Sequence, residues 1–206
     1  MMLKKRLTLN GNVSSVNGSI NFVDGKYYHF YDRMLTSNTP GLYQELLASA
    51  ENSIVIWDPH YRECRCDVFS AIHKDGIYIE VLTICYDEES KDDMEVFGNK
   101  ILDAIDDTDV PNCKLRINAL APRDLRQILW TEWHDRYLII DNKKVFLVGT
   151  SIDAQEKSNK SFGIYEMTEN DDINRVVDAY NDYKSSIIDV SGGARGNGYK
   201  CFVHRP

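Results

Sequence analysis

The stretch Trp133-His134-Asp135-Arg136-Tyr137-Leu138-Ile139-Ile140-Asp141, followed by Gly149-Thr150-Ser151 after a second apolar run, carries the clearest signal in this 206-residue chain. The residues Tyr137–Ile140, set between charged neighbours, read as one short strand. Asn142-Lys143, ahead of Val145–Val148, reads as the hairpin turn into a second. Alternation along the first strand puts His134 and Arg136 on one face, so an imidazole and a guanidinium can address the same phosphate. Asp141 stands at the far end of that strand, a better place to hold backbone than to touch a ligand.

Working outward, helix and strand patterns alternate. Upstream, Leu42-Tyr43, Leu46-Leu47 and Ala50 recur at helical spacing behind Pro40 and lead into the buried strand Ser53–Trp57. A helix over 63–74, a strand over Ile77–Ile84, an acidic helix with the core stripe Met94, Phe97, Ile101, Leu102 and Ile105, a strand over Lys114–Leu120 and a turn of helix opened by Pro122 complete the approach. Downstream, 162–167 read as a strand, and Ile173, Val176, Val177, Tyr180 and Tyr183 mark the core face of a last helix. The sum is α/β: a mixed β-sheet flanked by helices.

Both ends differ from this body. Residues 19–31 hold two β-prone runs split by Asp24-Gly25, which supplies positive φ for a small N-terminal β-hairpin. Past Val190 the run Ser191–Gly198 contains four glycines and buries nothing, so the tail is expected to be flexible, with the last six residues either loose or an edge strand. The chain therefore divides into a β appendage at 1–36, a main domain at 37–190 and a Gly-rich tail at 191–206.

Composition narrows the function. A net charge of -8, from 24 basic and 32 acidic residues, disfavours a general nucleic-acid-coating role, because long-range attraction to a polyanion is missing. Five cysteines form no disulfide framework and point to a reducing compartment. No signal peptide and no membrane-spanning run is present, so a cytoplasmic protein without integral membrane association is expected.

On the residues from His134 to Ser151 the chain resembles the phospholipase D superfamily, whose signature is His-x-Lys, four residues, Asp, and then a Gly-Ser or Gly-Thr turn. The upstream helix ending in Ala50-Glu51-Asn52-Ser53 and the strand Ile54-Val55-Ile56-Trp57-Asp58-Pro59 extend the likeness over about residues 40–186. The chain is similar both to bacterial and phage domains carrying His-Asp-Arg-Phe-Leu-Ile-Ile-Asp and, through Asp58-Pro59 and Tyr61-Arg62, to the phospholipase D-like domain found behind MIT domains, a phospholipid binder. The resemblance implies a phospholipase D-like fold in which His134 is the nucleophile, Arg136 the phosphate clamp, Thr150 or Ser151 a phosphate-contacting hydroxyl, and Glu166 an acid that orients His134. Two departures stand out: Arg136 replaces the family's Lys, keeping the charge but unable to give up a proton, and Ile152-Asp153 occupy the stretch where an Asn is usual.

That chemistry needs a second histidine to protonate the leaving group. His60-Tyr61-Arg62 repeats the His-x-Arg spacing, but the residues that follow are no apolar strand core, and His73-Lys74-Asp75 sits in a turn. One motif per chain makes a homodimer, with two copies of His134 brought together, the simplest completion. Asp58, His60 and Arg62 remain additional pocket residues, because they follow a strand at the carboxyl end where ligands bind in open α/β sheets.

Plainer readings stand beside these. His134, next to Trp130 and Trp133, could be an aromatic packing partner. Cys64 and Cys66 with His60 and His73 lack zinc spacing, so no metal or other cofactor is expected. The acid run from Asp87 to Asp109 reads as a solvated helix face, and Arg195, Lys200, His204 and Arg205 make a weakly basic tail. Two functions follow: a metal-independent phosphodiesterase, nuclease-like and working through a phosphohistidine; or an inactive module that binds a phospholipid headgroup, nucleic acid or a protein partner through the same pocket.

Overall fold

The computed structural model describes residues 6–7, 25–30, 39–59, 61, 66–84, 91–106, 112–120, 135–149, 162–190 and 199–204. The strands are β1 (Arg6–Leu7), β2 (Gly25–Phe30), β3 (Ser53–Trp57), β4 (Tyr78–Ile84), β5 (Lys114–Leu120), β6 (Tyr137–Ile140), β7 (Lys144–Val148), β8 (Phe162–Met167) and β9 (Tyr199–His204). The helices are α1 (Thr39–Ala48), α2 (Lys91–Asp106) and α3 (Asn170–Val190), with a 3-10 turn at Cys66–Ala71.

Among the described residues these strands form one nine-stranded sheet in the order β1-β2-β8-β7-β6-β3-β4-β5-β9. At its centre β3, β4 and β5 run parallel, as strands joined by helical crossovers must, and every other pairing is antiparallel. This is the mixed α/β architecture that the residue pattern predicted.

Period-two burial sorts the two faces. Ile54, Ile56, Ile79, Val81, Leu115, Ile117, Leu138, Ile140 and Phe146 share one core with Tyr43 and Leu47 of α1, Phe69 of the 3-10 turn, and Ile101 and Ile105 of α2. Val55, Trp57, Leu82, Ile139 and Val145 face the other way, against Ile173 and Tyr180 of α3. No helix among the described residues is long and apolar enough to cross a membrane.

One sequence expectation needs correction. Where a helix was expected over 63–74, the described residues form a 3-10 turn at Cys66–Ala71, whose Val68 and Phe69 are buried in the core; residues 63–65 lie outside the described residues. Of the two readings left open for the end of the tail, the structure takes the edge strand: β9 pairs with β5 from Leu115↔His204 to Leu120↔Tyr199, and the ring of Phe202 lies against Gly98 of α2, where even a methyl group would collide with it. At the N-terminal end, β2 adds to the main sheet beside β8 over the six residues Gly25–Phe30 and pairs on its other side with β1. The other half of the expected hairpin, Met94 of the helical stripe and the turn after Pro122 lie outside the described residues or side chains.

Candidate functional site

The candidate site lies where β3 ends. Pro59 has no N–H for the ladder, and it sits at the second position of a turn closed by the Tyr61 amide donating to the Asp58 carbonyl at 3.3 Å. Thr83 Oγ1 donates to the Tyr61 carbonyl at 2.9 Å, so the turn is pinned to β4. Asp58 itself stays in register, its amide donating to Leu82 at 3.0 Å, and its side chain is buried with 3% of the residue exposed.

Register then selects its neighbour. Trp57 faces Tyr137 across the β3–β6 pair, so the next residues outward, Asp58 and Arg136, come opposite one another. Arg136 Nε stands 3.5 Å from Asp58 Oδ1, with the arginine side chain 22% exposed and the aspartate 4%. The backbone is fixed too, because the Arg136 carbonyl accepts from the Val148 amide at 2.8 Å. By alternation Arg136 and Asp58 belong to the sheet face that carries Leu138, Ile140, Ile54 and Ile56.

The Nε–H of Arg136 is buried and makes no hydrogen bond, the ion pair being too long and too poorly aimed for one. Among the described residues no group pairs with its two Nη nitrogens. A cation is thus held at the rim of the sheet with donors to spare and partial access to solvent.

The opposite end of β6 is arranged differently. Asp141 and Asn142 open the three-residue connection to β7 with φ of 56° and 53°, a left-handed conformation that Asp and Asn tolerate better than most residues. The turn therefore begins one residue earlier than Asn142-Lys143. Asp141 Oδ1 accepts from the amides of Asn52 (2.6 Å) and Ser53 (2.8 Å), and Oδ2 accepts from that of Glu51 (2.9 Å). Burial pushes the Asp141 pKa up, but these three donors and the charge of Lys143 outweigh it and hold the carboxyl below its ordinary value. It lies five residues from Arg136, roughly 16 Å along the strand, and joins the start of β3 to the β6–β7 turn.

Glu166 lies on β8 opposite Phe146, on the same face as Arg136 but two strands away and further into the sheet. Gly149 follows β7 at the Arg136 rim, whereas His134, His60, Arg62, Thr150 and Ser151 lie outside the described residues. The structure therefore brings Asp58 and Arg136 together, leaves Glu166 deeper on their face, and puts Asp141 at the other edge.

A polar cluster that sequence reasoning missed occupies the opposite face. Glu80, 1% exposed, accepts from Asn118 Nδ2 at 2.8 Å and pairs with Lys184 Nζ of α3 at 2.8 Å. Glu80 was visible only as a charge inside the apolar strand Tyr78–Ile84, and its partner lies 104 residues along the chain.

Among the described residues no three His, Cys, Asp or Glu side chains gather as a metal site. No protein-family model and no curated protein matches the chain. Phospholipase D family members are among the solved structures to which it is similar. NucT from Helicobacter pylori is 16% identical over 77% of this chain and 95% of that one, with a TM-score of 0.49. Nuc from Salmonella typhimurium, a phospholipase D family member, is 12% identical over 89% and 100%, with a TM-score of 0.44. TrmBL2, an archaeal chromatin protein, is 15% identical over 78% of this chain at a TM-score of 0.44, and the chain spans about half of its length (52%).

Proposed function

We propose that this chain is a metal-independent phosphodiesterase of the phospholipase D type, with nucleic acid as its substrate class. The observation that supports the reading is Arg136: a guanidinium two residues after His134, tethered at the sheet rim beside Asp58 and still holding unused donors. A planar cation with a free fork suits the equatorial oxygens of a phosphoryl group, where charge accumulates during displacement.

In this reading a ring nitrogen of His134 attacks phosphorus and the bond to the leaving oxygen breaks. Arg136, with a hydroxyl of Thr150 or Ser151, steadies the phosphoryl oxygens, and Glu166 orients His134. A second histidine gives its proton to the leaving oxygen, and water then splits the P–N bond of the phosphohistidine. A homodimer supplies that second group as the other copy's nucleophilic histidine, with His60 as the choice within one chain. The net charge of -8 favours a small or specially structured substrate over long polyanions.

The test is incubation in chelator with labelled DNA, RNA and a chromogenic phosphodiester. Turnover is expected in the wild type, reduced by at least about a thousandfold in His134→Ala. A folded protein that binds such ligands through Arg136 without cleaving them would replace this reading with that of a silent binding module.

A further inference from the structure

We propose that Asp58 is a positioning residue: it grips Arg136 from the Nε side and thereby aims the two Nη nitrogens at the phosphoryl oxygens. The inference rests on the phosphodiesterase reading and names the device that would orient its clamp.

An arginine side chain has many rotamers, and a clamp that must be ordered at each binding event loses affinity and geometry. Arg136 offers Nε and two Nη nitrogens, and Asp58 approaches the Nε at 3.5 Å, from the neighbouring strand. Asp58 is itself immobile for three reasons visible in the fold. Its amide is in the β3–β4 ladder, its carbonyl closes the turn at Pro59, and its side chain is buried. The contact is long and unaligned, so the guanidinium is steered without being consumed: its buried Nε–H stays unbonded and a fifth of the side chain reaches solvent.

A carboxylate beside a phosphate site also has a blunter effect, repulsion of the anion. The two effects carry opposite signs, which makes the role measurable. If Asp58 positions Arg136, Asp58→Asn weakens phosphate binding; if it only neutralises charge, the same change strengthens it.

The experiment follows the Arg136 Nε–H resonance in protein labelled with 15N-arginine, identified by its loss in Arg136→Lys, during titration with inorganic phosphate and then vanadate. In the wild type, phosphate is expected to shift the resonance. In Asp58→Asn the resonance is expected to broaden, with affinity for both anions about tenfold weaker, and Asp58→Glu should recover part of the loss. Circular dichroism confirms that each variant is folded. Unchanged or tighter anion binding in folded Asp58→Asn would overturn the positioning role while leaving the phosphate site standing. A wild-type resonance indifferent to both anions would overturn the phosphodiesterase reading and this inference with it.

Discussion

Glu80 and Asp58 are both carboxylates withdrawn from water, one on each face of the sheet, and they are treated in opposite ways. Glu80 uses both oxygens at 2.8 Å, one on Asn118 and one on Lys184, and the Lys184 ammonium also lies 5.4 Å from the centre of the Tyr180 ring. Asp58 meets Arg136 at 3.5 Å, and the arginine's Nε–H stays unbonded. The first pair ties β4 to α3, while the second lies at the rim where β3 ends and β6 begins, and the two cations are about equally exposed, at 25% and 22% of their side chains. A buried charge with its hydrogen bonds filled fastens two elements together. One whose partner keeps spare donors has capacity left for something that arrives from solution.

The largest effect expected of this contrast is on stability. Lys184→Met strands Glu80 in the interior with only the Asn118 hydrogen bond to hold it among the described residues, and breaking such a pair from one side costs about 3 kcal/mol. Thermal unfolding should move down by roughly 6–12 °C for a chain of this size. Replacing Glu80 and Lys184 together by methionine should recover most of the loss, because the stranded charge goes with its partner. Arg136→Met, which breaks a longer contact that carries no hydrogen bond, should cost less, about 1 kcal/mol. Equal losses in Lys184→Met and Arg136→Met would erase the distinction between a fastening and a receptive ion pair.

What the sequence disclosed follows from how far each signal travels along the chain. The sheet strands were legible because burial on both faces leaves short apolar runs, as in Ile54–Trp57 and Leu138–Ile140. The last helix was legible from the spacing of Ile173, Val176, Val177 and Tyr180. Glu80 and Lys184 were not, since each alone is an ordinary charged residue and only the docking of α3 pairs them. Asp58 was noticed for its place at a strand end, but its alignment with Arg136 is a matter of β3–β6 register, which no local pattern encodes. The edge strand β9 stayed undecided because the glycine run before it hides where ordered pairing resumes.

A second, smaller effect separates the two ends of β6. Asp141 has its acceptors filled by three amides, whereas Arg136 at the other end keeps open donors. Two of those three amides are exposed and can turn to water, so Asp141→Ala should cost about 1–2 kcal/mol, the range of a lost helix cap. The pH dependence has a definite sign. The native carboxyl titrates below its ordinary 3.8, so between the two values the unfolded chain binds more protons. Its stabilisation is therefore whole above about pH 3.8 and drains away as pH falls through the native value. Urea midpoints of wild type and Asp141→Ala should differ most near neutrality and converge in acid. A constant gap down to pH 2 would mean that Asp141 acts by shape alone and not as an anion.

The smallest effect bears on the two tyrosines that flank Trp57, with ring centres 5.4 Å (Tyr137) and 5.8 Å (Tyr183) away. Both hydroxyls are pushed up to about 12, Tyr183 by burial against the sheet, Tyr137 by burial first and then by the charge of Asp135, to whose Oδ2 it donates at 3.3 Å. Asp135 belongs to the exposed rim beside Arg136, so Tyr137 senses the candidate site and Tyr183 does not. Asp135→Asn should lower the Tyr137 pKa part of the way only, because burial is the larger cause, and should leave Tyr183 where it is. Ultraviolet difference titration against Tyr137→Phe and Tyr183→Phe isolates each hydroxyl. Since each folded pKa is raised, the matching stability is whole below about pH 10 and is lost as pH rises towards 12, which an alkaline denaturation series reads directly. Movement of both tyrosines in Asp135→Asn would mean that the rim and the α3 face share one electrostatic environment, and the contrast between Asp58 and Glu80 would then reduce to distance alone.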